Sequence, residues 1–162
     1  MPTIKIIDTC TLINIFNSLD FDLAPCLEEY RAVVTNHVVS EYTRKIPRQI
    51  PKCISVIGMS ERGETIMEDL EFLFPRLGIG ERSVLALALE TASAGSKVVV
   101  ITDDKDAVKK LSGMVKNKDT SAKFFGSENI IYGNTLSLIG KFVDDCKIPQ
   151  SCLDRARRIL KH

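Results

Sequence analysis

Histidine is scarce in this chain, and paired thiols are missing. Its 162 residues include two histidines, and none of its five cysteines (Cys10, Cys26, Cys53, Cys146, Cys152) stands in a CxxC pair. That argues against a zinc site built from nitrogen and sulfur ligands. An odd, scattered set of cysteines fits reduced cytosolic thiols better than a disulfide framework. No apolar run approaches membrane-spanning length, and Met1 leads straight into a strand pattern instead of a cleavable leader. A cytoplasmic protein with no membrane partner is expected. Net charge is also nearly absent, at +1, so any attraction to nucleic acid must come from local charge. There is no internal repeat, low-complexity tract or convincing linker, and the length suits one domain, residues 1–162, with one sizeable core.

What the chain does have is carboxylates where strands stop. Ile4-Lys5-Ile6-Ile7 reads as a strand, Asp8 ends it, and Thr9-Cys10-Thr11 forms a tight turn before helical spacing resumes at Leu12, Ile13, Ile15 and Phe16. A second strand is expected at Arg31–Thr35, with Asn36 as N-cap of a helix carrying Val38, Val39, Glu41 and Tyr42. Pro47 and Pro51 end that helix. Cys53–Met59 reads as an edge strand and Glu64–Phe74 as an amphipathic helix. Gly78-Ile79-Gly80 makes a turn into Arg82–Ala92, a helix apolar on most sides and therefore buried, with Glu81 in its first turn and Gly95 as a C-cap candidate. Lys97–Ile101 is the most continuous apolar strand, a candidate for the sheet centre, and it runs into Thr102-Asp103-Asp104-Lys105-Asp106 and a helix from Ala107 to Leu111. Ile130–Tyr132 reads as the last strand, with closing helices at Thr135–Val143 and Ser151–Leu160. Strands alternating with helices give an α/β fold: three layers, with an open, mainly parallel sheet between helices.

Each acid has an ordinary reading when taken alone. Glu41 reads as a solvated helix residue, and Glu81 as a first-turn acid stabilised by the helix dipole by about 0.3–1 kcal/mol. One aspartate of the Asp103-Asp104 pair reads as an N-cap. Taken together, Asp8, Glu41, Glu81 and Asp104 can all reach the carboxyl edge of a parallel sheet wound with right-handed crossovers. Two carboxylates about 4 Å apart repel by about 1 kcal/mol in water and about 4 kcal/mol at an effective dielectric of 20, so such a cluster calls for protons or cations. All-oxygen ligands suit Mg²⁺ or Mn²⁺. From Lys105 to Lys123 there are six lysines against two aspartates, a solvated helix face or a track for phosphates. Phe124 and Phe125 are core residues or stacking platforms, and Arg155, Arg157, Arg158 and Lys161 make a second basic surface.

Ile6-Ile7-Asp8-Thr9-Cys10, Val39-Ser40-Glu41, Gly78-Ile79-Gly80-Glu81 and Ile101-Thr102-Asp103-Asp104, in that order, resemble the motifs of PIN-domain ribonucleases. Gly133-Asn134-Thr135-Leu136 and the helix after it are similar to a small prokaryotic subgroup that includes toxin nucleases, so the resemblance spans most of the chain. It implies a single PIN-like domain and metal-dependent hydrolysis of RNA phosphodiesters, leaving a 5′-phosphate and a 3′-hydroxyl. Asp8, Glu41, Glu81 and Asp104 fall at the family's acidic positions. The implied Mg²⁺ or Mn²⁺ ligands are Asp8, Glu81 and Asp104, with Asp103 as an alternative or additional one, and Glu41 ligating directly or through water. Thr102 matches the hydroxyl that supports the site, and Thr102, Lys105, Lys109 and Lys110 are the substrate-binding candidates. Two positions depart from the family pattern: Cys10 stands where serine or asparagine is usual, and Glu81 where aspartate is commoner. Single-stranded RNA, an antitoxin protein and a second copy of the chain are the implied partners.

Other classes explain less. A catalytically degenerate PIN-like module would bind RNA or protein without cutting, but the four acids are all present. A Toprim-type metal site would use Asp104-Lys105-Asp106 but leaves Asp8 and Glu41 unexplained. A phosphoacceptor receiver domain carries its acid pair early in the chain, not late.

Overall fold

The computed structural model describes residues 3–116 and 126–160. Phe124, Phe125, Lys118, Asp119, Lys123 and Lys161, with the stacking and basic-surface readings made of them, lie outside the described residues. Five short strands form one sheet: β1 Ile4–Ile7, β2 Ala32–Thr35, β3 Ser55–Ile57, β4 Val98–Ile101 and β5 Ile130–Gly133. Their order is β3-β2-β1-β4-β5, and every pairing is parallel. The helices are α1 Thr9–Ile13, α2 Ala24–Glu29, α3 Asn36–Lys45, α4 Glu61–Leu73, α5 Ile79–Ser93, α6 Lys105–Lys116, α7 Thr135–Asp144 and α8 Gln150–Ile159. They flank the sheet, giving the three-layer parallel α/β arrangement expected from the strand–helix alternation.

The strand sequences account for their places. β2 (Ala-Val-Val-Thr) is buried at all four positions, as a strand covered on both faces must be. β3 forms one edge and exposes Val56, matching the edge strand expected there. The most continuous apolar strand, β4, is interior but not central; β1 holds the middle, with Ile6 and Ile7 fully buried.

Helix α5 is the apolar layer of the core. Val84, Leu85, Ala86, Ala88, Leu89 and Ala92 are buried, and the helix packs on β1, β2, β4 and β5. Its alanines let it lie close to the strands, and fully burying a leucine such as Leu85 contributes about 1.5–3 kcal/mol. Beyond its last turn, Gly95 takes the left-handed conformation at φ 95°, where glycine is strain-free, and donates to Ala92 O at 3.0 Å.

Two local expectations are corrected. No turn separates β1 from its helix: Asp8 caps α1 directly, accepting from Thr9 N at 2.8 Å, and the helix widens into a π-helical turn over Asn14–Ser18. Thr35, not Asn36, caps α3, because its Oγ1 accepts from Val38 N at 3.1 Å.

The connections fix where a ligand would sit. From β1 the chain moves outward through β2 to β3, then returns to the far side of β1 for β4 and β5. The direction reverses between β1 and β4, and in open α/β sheets the crevice at the carboxyl ends of such strands is the ligand site. Asp8 leaves β1 at that point and Thr102-Asp103-Asp104 leaves β4. Asp8 N donates to Ile101 O at 3.0 Å, so the two strand ends are stitched side by side.

Candidate functional site

Asp8 lies at the bottom of this crevice, 9% exposed. Its Oδ1 accepts from Thr9 N at 2.8 Å, while Oδ2 accepts from the Thr102 hydroxyl at 3.0 Å and from the Cys10 thiol at 3.5 Å. Burial pushes its pKa above the ordinary carboxylate range. The bonds from Thr9, Thr102 and Cys10 pull it partly back, and the nearby charge of Glu41 pushes it further up. Thr102 is 2% exposed, and its oxygen also receives Asp104 N at 3.3 Å. It therefore serves beneath the site, holding Asp8 and the start of the Asp104 loop. Of its two expected roles, support of the site is the one its contacts describe.

Glu81 enters from the first turn of α5 and is half-buried. Burial raises its pKa most, and the charges of Asp8, Asp104 and Glu41 raise it further, while Lys110 acts in the opposite sense. Its Oε2 is buried with no hydrogen-bond partner. A buried carboxylate oxygen without a donor is costly and calls for an explanation.

Glu41 arrives from the second turn of α3. Its Oε1 pairs with Lys45, one helical turn on, at 3.2 Å. Its Oε2 lies against Gly80, where an added Cβ would collide with it. Gly80 is thus required for space, not for an unusual backbone angle. Below this contact, the Ser83 hydroxyl donates to Gly80 O at 2.7 Å and sits 2.7 Å from Thr35 Oγ1, which caps α3. These buried hydroxyls fasten the two acid-bearing helices to each other.

Asp104 and Asp103 have diverged in role. Asp104 is exposed, and its Oδ1 caps α6 by accepting from Asp106 N at 2.9 Å and Ala107 N at 3.1 Å. The capping reading of one aspartate is therefore realised in Asp104, which also shares the electrostatic neighbourhood of Glu81. Asp103 is engaged through both oxygens: Oδ1 accepts from Thr135 N at 2.7 Å, and Oδ2 accepts from Asn14 Nδ2 at 2.5 Å and from the Thr135 hydroxyl. It ties the end of β4 to the start of α7 and to the π-helical turn. These bonds give Asp103 a structural role beside the metal-ligand role expected of it. The bonds from Asn14 and Thr135 were not foreseen; the signals were an asparagine inside the apolar run from Leu12 to Phe16 and Thr135 within the Gly133-Asn134-Thr135-Leu136 motif.

Lys105, Lys109 and Lys110 are exposed on α6, at the carboxyl side of β4. Lys110 is close enough to Glu81 to lower its pKa. Lys105 and Lys109 line a separate cleft with Thr102 and Asp103 at its inner end.

The structure therefore brings Asp8, Glu41, Glu81 and Asp104 into one electrostatic neighbourhood from four different elements. Among the described residues, no three histidine, cysteine, aspartate or glutamate side chains already converge as a metal-binding group. The donor set nevertheless suits a hard divalent cation: every donor is a carboxylate oxygen, the charges repel, and one buried oxygen has no partner. No protein-family model matches the chain, and no curated protein matches it. Among the described residues, no helix is long and apolar enough to cross a membrane.

Proposed function

We propose that this chain is a metal-dependent endoribonuclease of the PIN type. The observation that carries the reading is the gathering of Asp8, Glu41, Glu81 and Asp104 at the reversal point between β1 and β4, with Asp8 and Glu81 both pushed toward protonation by burial and by neighbouring carboxylates. Asp8, Glu81 and Asp104 would hold Mg²⁺ or Mn²⁺, and Glu41 would complete the set directly or through water. The bound cation would lower the pKa of a water and offset charge on the phosphate undergoing substitution. The protein's own part is preorganisation. Thr102 and Thr9 N fix the Asp8 carboxylate, the Ser83–Thr35 pair fixes α5 against α3, and Asp103 anchors the loop that presents Asp104. Lys110, whose charge acts on Glu81, would meet a phosphate oxygen. A cytoplasmic enzyme restrained by an antitoxin protein, and acting as a homodimer, belongs to the same proposal.

A second reading has one observation in its favour. Asp8 and Asp104 are held by protein donors, and among the described residues the carboxylates do not converge on a point, as a non-catalytic RNA- or protein-binding module would allow. Cleavage of a fluorescent single-stranded RNA in Mn²⁺, Mg²⁺ or EDTA separates the two. The nuclease reading expects metal-dependent cutting that is lost in Asp8→Asn and in Asp104→Asn. RNA binding with no cutting in any metal would leave the binding module.

A further inference from the structure

The acid site holds a sulfur that the proposed hydrolysis does not use. Cys10 stands in the first turn of α1, two residues past Asp8, and is partly exposed. Its Sγ lies 3.5 Å from Asp8 Oδ2 and 3.6 Å from Thr102 Oγ1, and it also meets the backbone of Asp103. As a hydrogen bond the contact with Asp8 adds little, because a thiol is a weak donor and Thr9 N and Thr102 already hold the carboxylate at 2.8 and 3.0 Å. As a pair of ligands it is well spaced. A zinc ion bound at about 2.3 Å to sulfur and about 2.0–2.2 Å to oxygen, at a tetrahedral angle, sets the two donors about 3.5 Å apart. Around the same acids two buried oxygens lack partners. One is Glu81 Oε2, and the other is Thr9 Oγ1, on a residue 2% exposed. The Thr9 hydroxyl is aimed at the acids: it lies 4.0 Å from the place of a Cβ on Gly80, the space that Glu41 Oε2 fills. A hydrated cation beside Asp8 would give both oxygens a partner.

We propose that Cys10 is a metal ligand which, sharing an ion with Asp8, makes this site accept a thiophilic divalent cation of the zinc class as well as Mg²⁺ or Mn²⁺. Coordination replaces the S–H···Oδ2 contact by sulfur and oxygen bonds to one cation: the S–H bond breaks, and its proton leaves to solvent. Oδ2 has two lone pairs, one for the Thr102 hydroxyl and one for the ion. Softness decides which cation takes the sulfur, since Mg²⁺ and Mn²⁺ prefer oxygen donors whereas thiolate selects zinc-like ions. A serine or asparagine in the place of Cys10 would offer no such choice. The inference deepens the nuclease reading by naming a second class of metal for the same site, and it rests on that reading for the carboxylates that complete the ligand set.

The test is titration of the full chain with Cd²⁺, a zinc-class ion whose bond to a cysteine sulfur gives an ultraviolet charge-transfer band, under a phosphine reductant. Wild type is compared with Cys10→Ser, Cys10→Ala and Asp8→Asn, and the remaining cysteines, present in every sample, cancel in the comparison. Circular dichroism checks that each variant folds. The expected result is a wild-type band that both Cys10 variants lose, with Cd²⁺ affinity lowered by at least about tenfold in all three variants. Cys10→Ser should bind Mn²⁺ as wild type does, because a hard cation does not use the sulfur. Mn²⁺ bound to wild type should displace the band. No band from wild type, a band undiminished in Cys10→Ser or in Asp8→Asn, or Mn²⁺ that binds without displacing it would each overturn the proposal. Calorimetry with Mn²⁺ keeps the two readings apart. Mn²⁺ binding with no band from Cys10 leaves the nuclease reading and removes the sulfur ligand. A band that needs both Cys10 and Asp8, with no Mn²⁺ binding, does the reverse.

Discussion

Gly80→Ala adds one methyl group and replaces no titrating residue, yet it is expected to disable the site. The new Cβ would occupy the place of Glu41 Oε2, so the carboxylate must swing away. Stability changes little, because three small terms oppose one another. Alanine in place of glycine near the start of α5 stabilises the helix by up to about 1 kcal/mol. Displacing Glu41 loses its pair with Lys45, an (i, i+4) contact worth about 0.3–0.5 kcal/mol. The carboxylate is the far end of a flexible side chain, so its displacement costs far less than the ~1–3 kcal/mol of overpacking a core. The net change should fall within about 1 kcal/mol of wild type in urea unfolding. Mn²⁺ affinity by calorimetry should fall about 10–100-fold, the usual effect of losing one member of a metal site's supporting set. Unchanged Mn²⁺ affinity, or a loss of stability above about 3 kcal/mol, would refute the reasoning that Gly80 exists to admit Glu41.

Three further outcomes follow from the same contacts. Thr102→Val keeps the shape but removes a donor from the buried Asp8 carboxylate, and should cost about 1.5–3 kcal/mol in urea unfolding near neutral pH; a loss below about 0.5 kcal/mol would contradict it. Asp103→Ala strands Asn14 and Thr135 and should cost about 3 kcal/mol, whereas a ligand-only role predicts normal stability with lost metal binding. For pH, Asp8 and Glu81 are both held above the ordinary carboxylate range, so the folded state keeps protons that the unfolded chain has released. Stability in EDTA should therefore fall as pH rises from about 4 through the raised folded values. Glu81→Gln should flatten that fall and saturating Mg²⁺ should oppose it, both read from urea midpoints across the range.

The sheet was legible because strand, acid and helix recur in phase along the chain. Ile4–Ile7 and Val98–Ile101 are apolar runs stopped by acids, and that pattern states both the parallel topology and the edge where the acids emerge. The burial of α5 was equally legible, since its sequence has no polar face to spare. What the sequence left ambiguous was the division of labour among neighbours. Asp103 and Asp104 are adjacent and chemically identical; what separates them is the reach of Asn14 and Thr135, residues 89 and 32 positions away from Asp103. The capping of α3 by Thr35 instead of Asn36 is a one-residue boundary shift between two competent cap formers. The role of Gly80 was hidden for the same reason: a glycine before a helix reads as a turn, and the side chain it makes room for belongs to another element.

The central claim is that four carboxylates from four elements act together on a divalent cation. It is tested most directly by titrating Mn²⁺ into wild type, Asp8→Asn, Glu81→Gln, Asp104→Asn and, as a neighbouring control, Asp106→Asn. The account predicts binding by wild type and by the Asp106 variant, weakened at least about tenfold in each of the other three. Binding that is absent from wild type, or indifferent to Asp8 and Glu81, would contradict it.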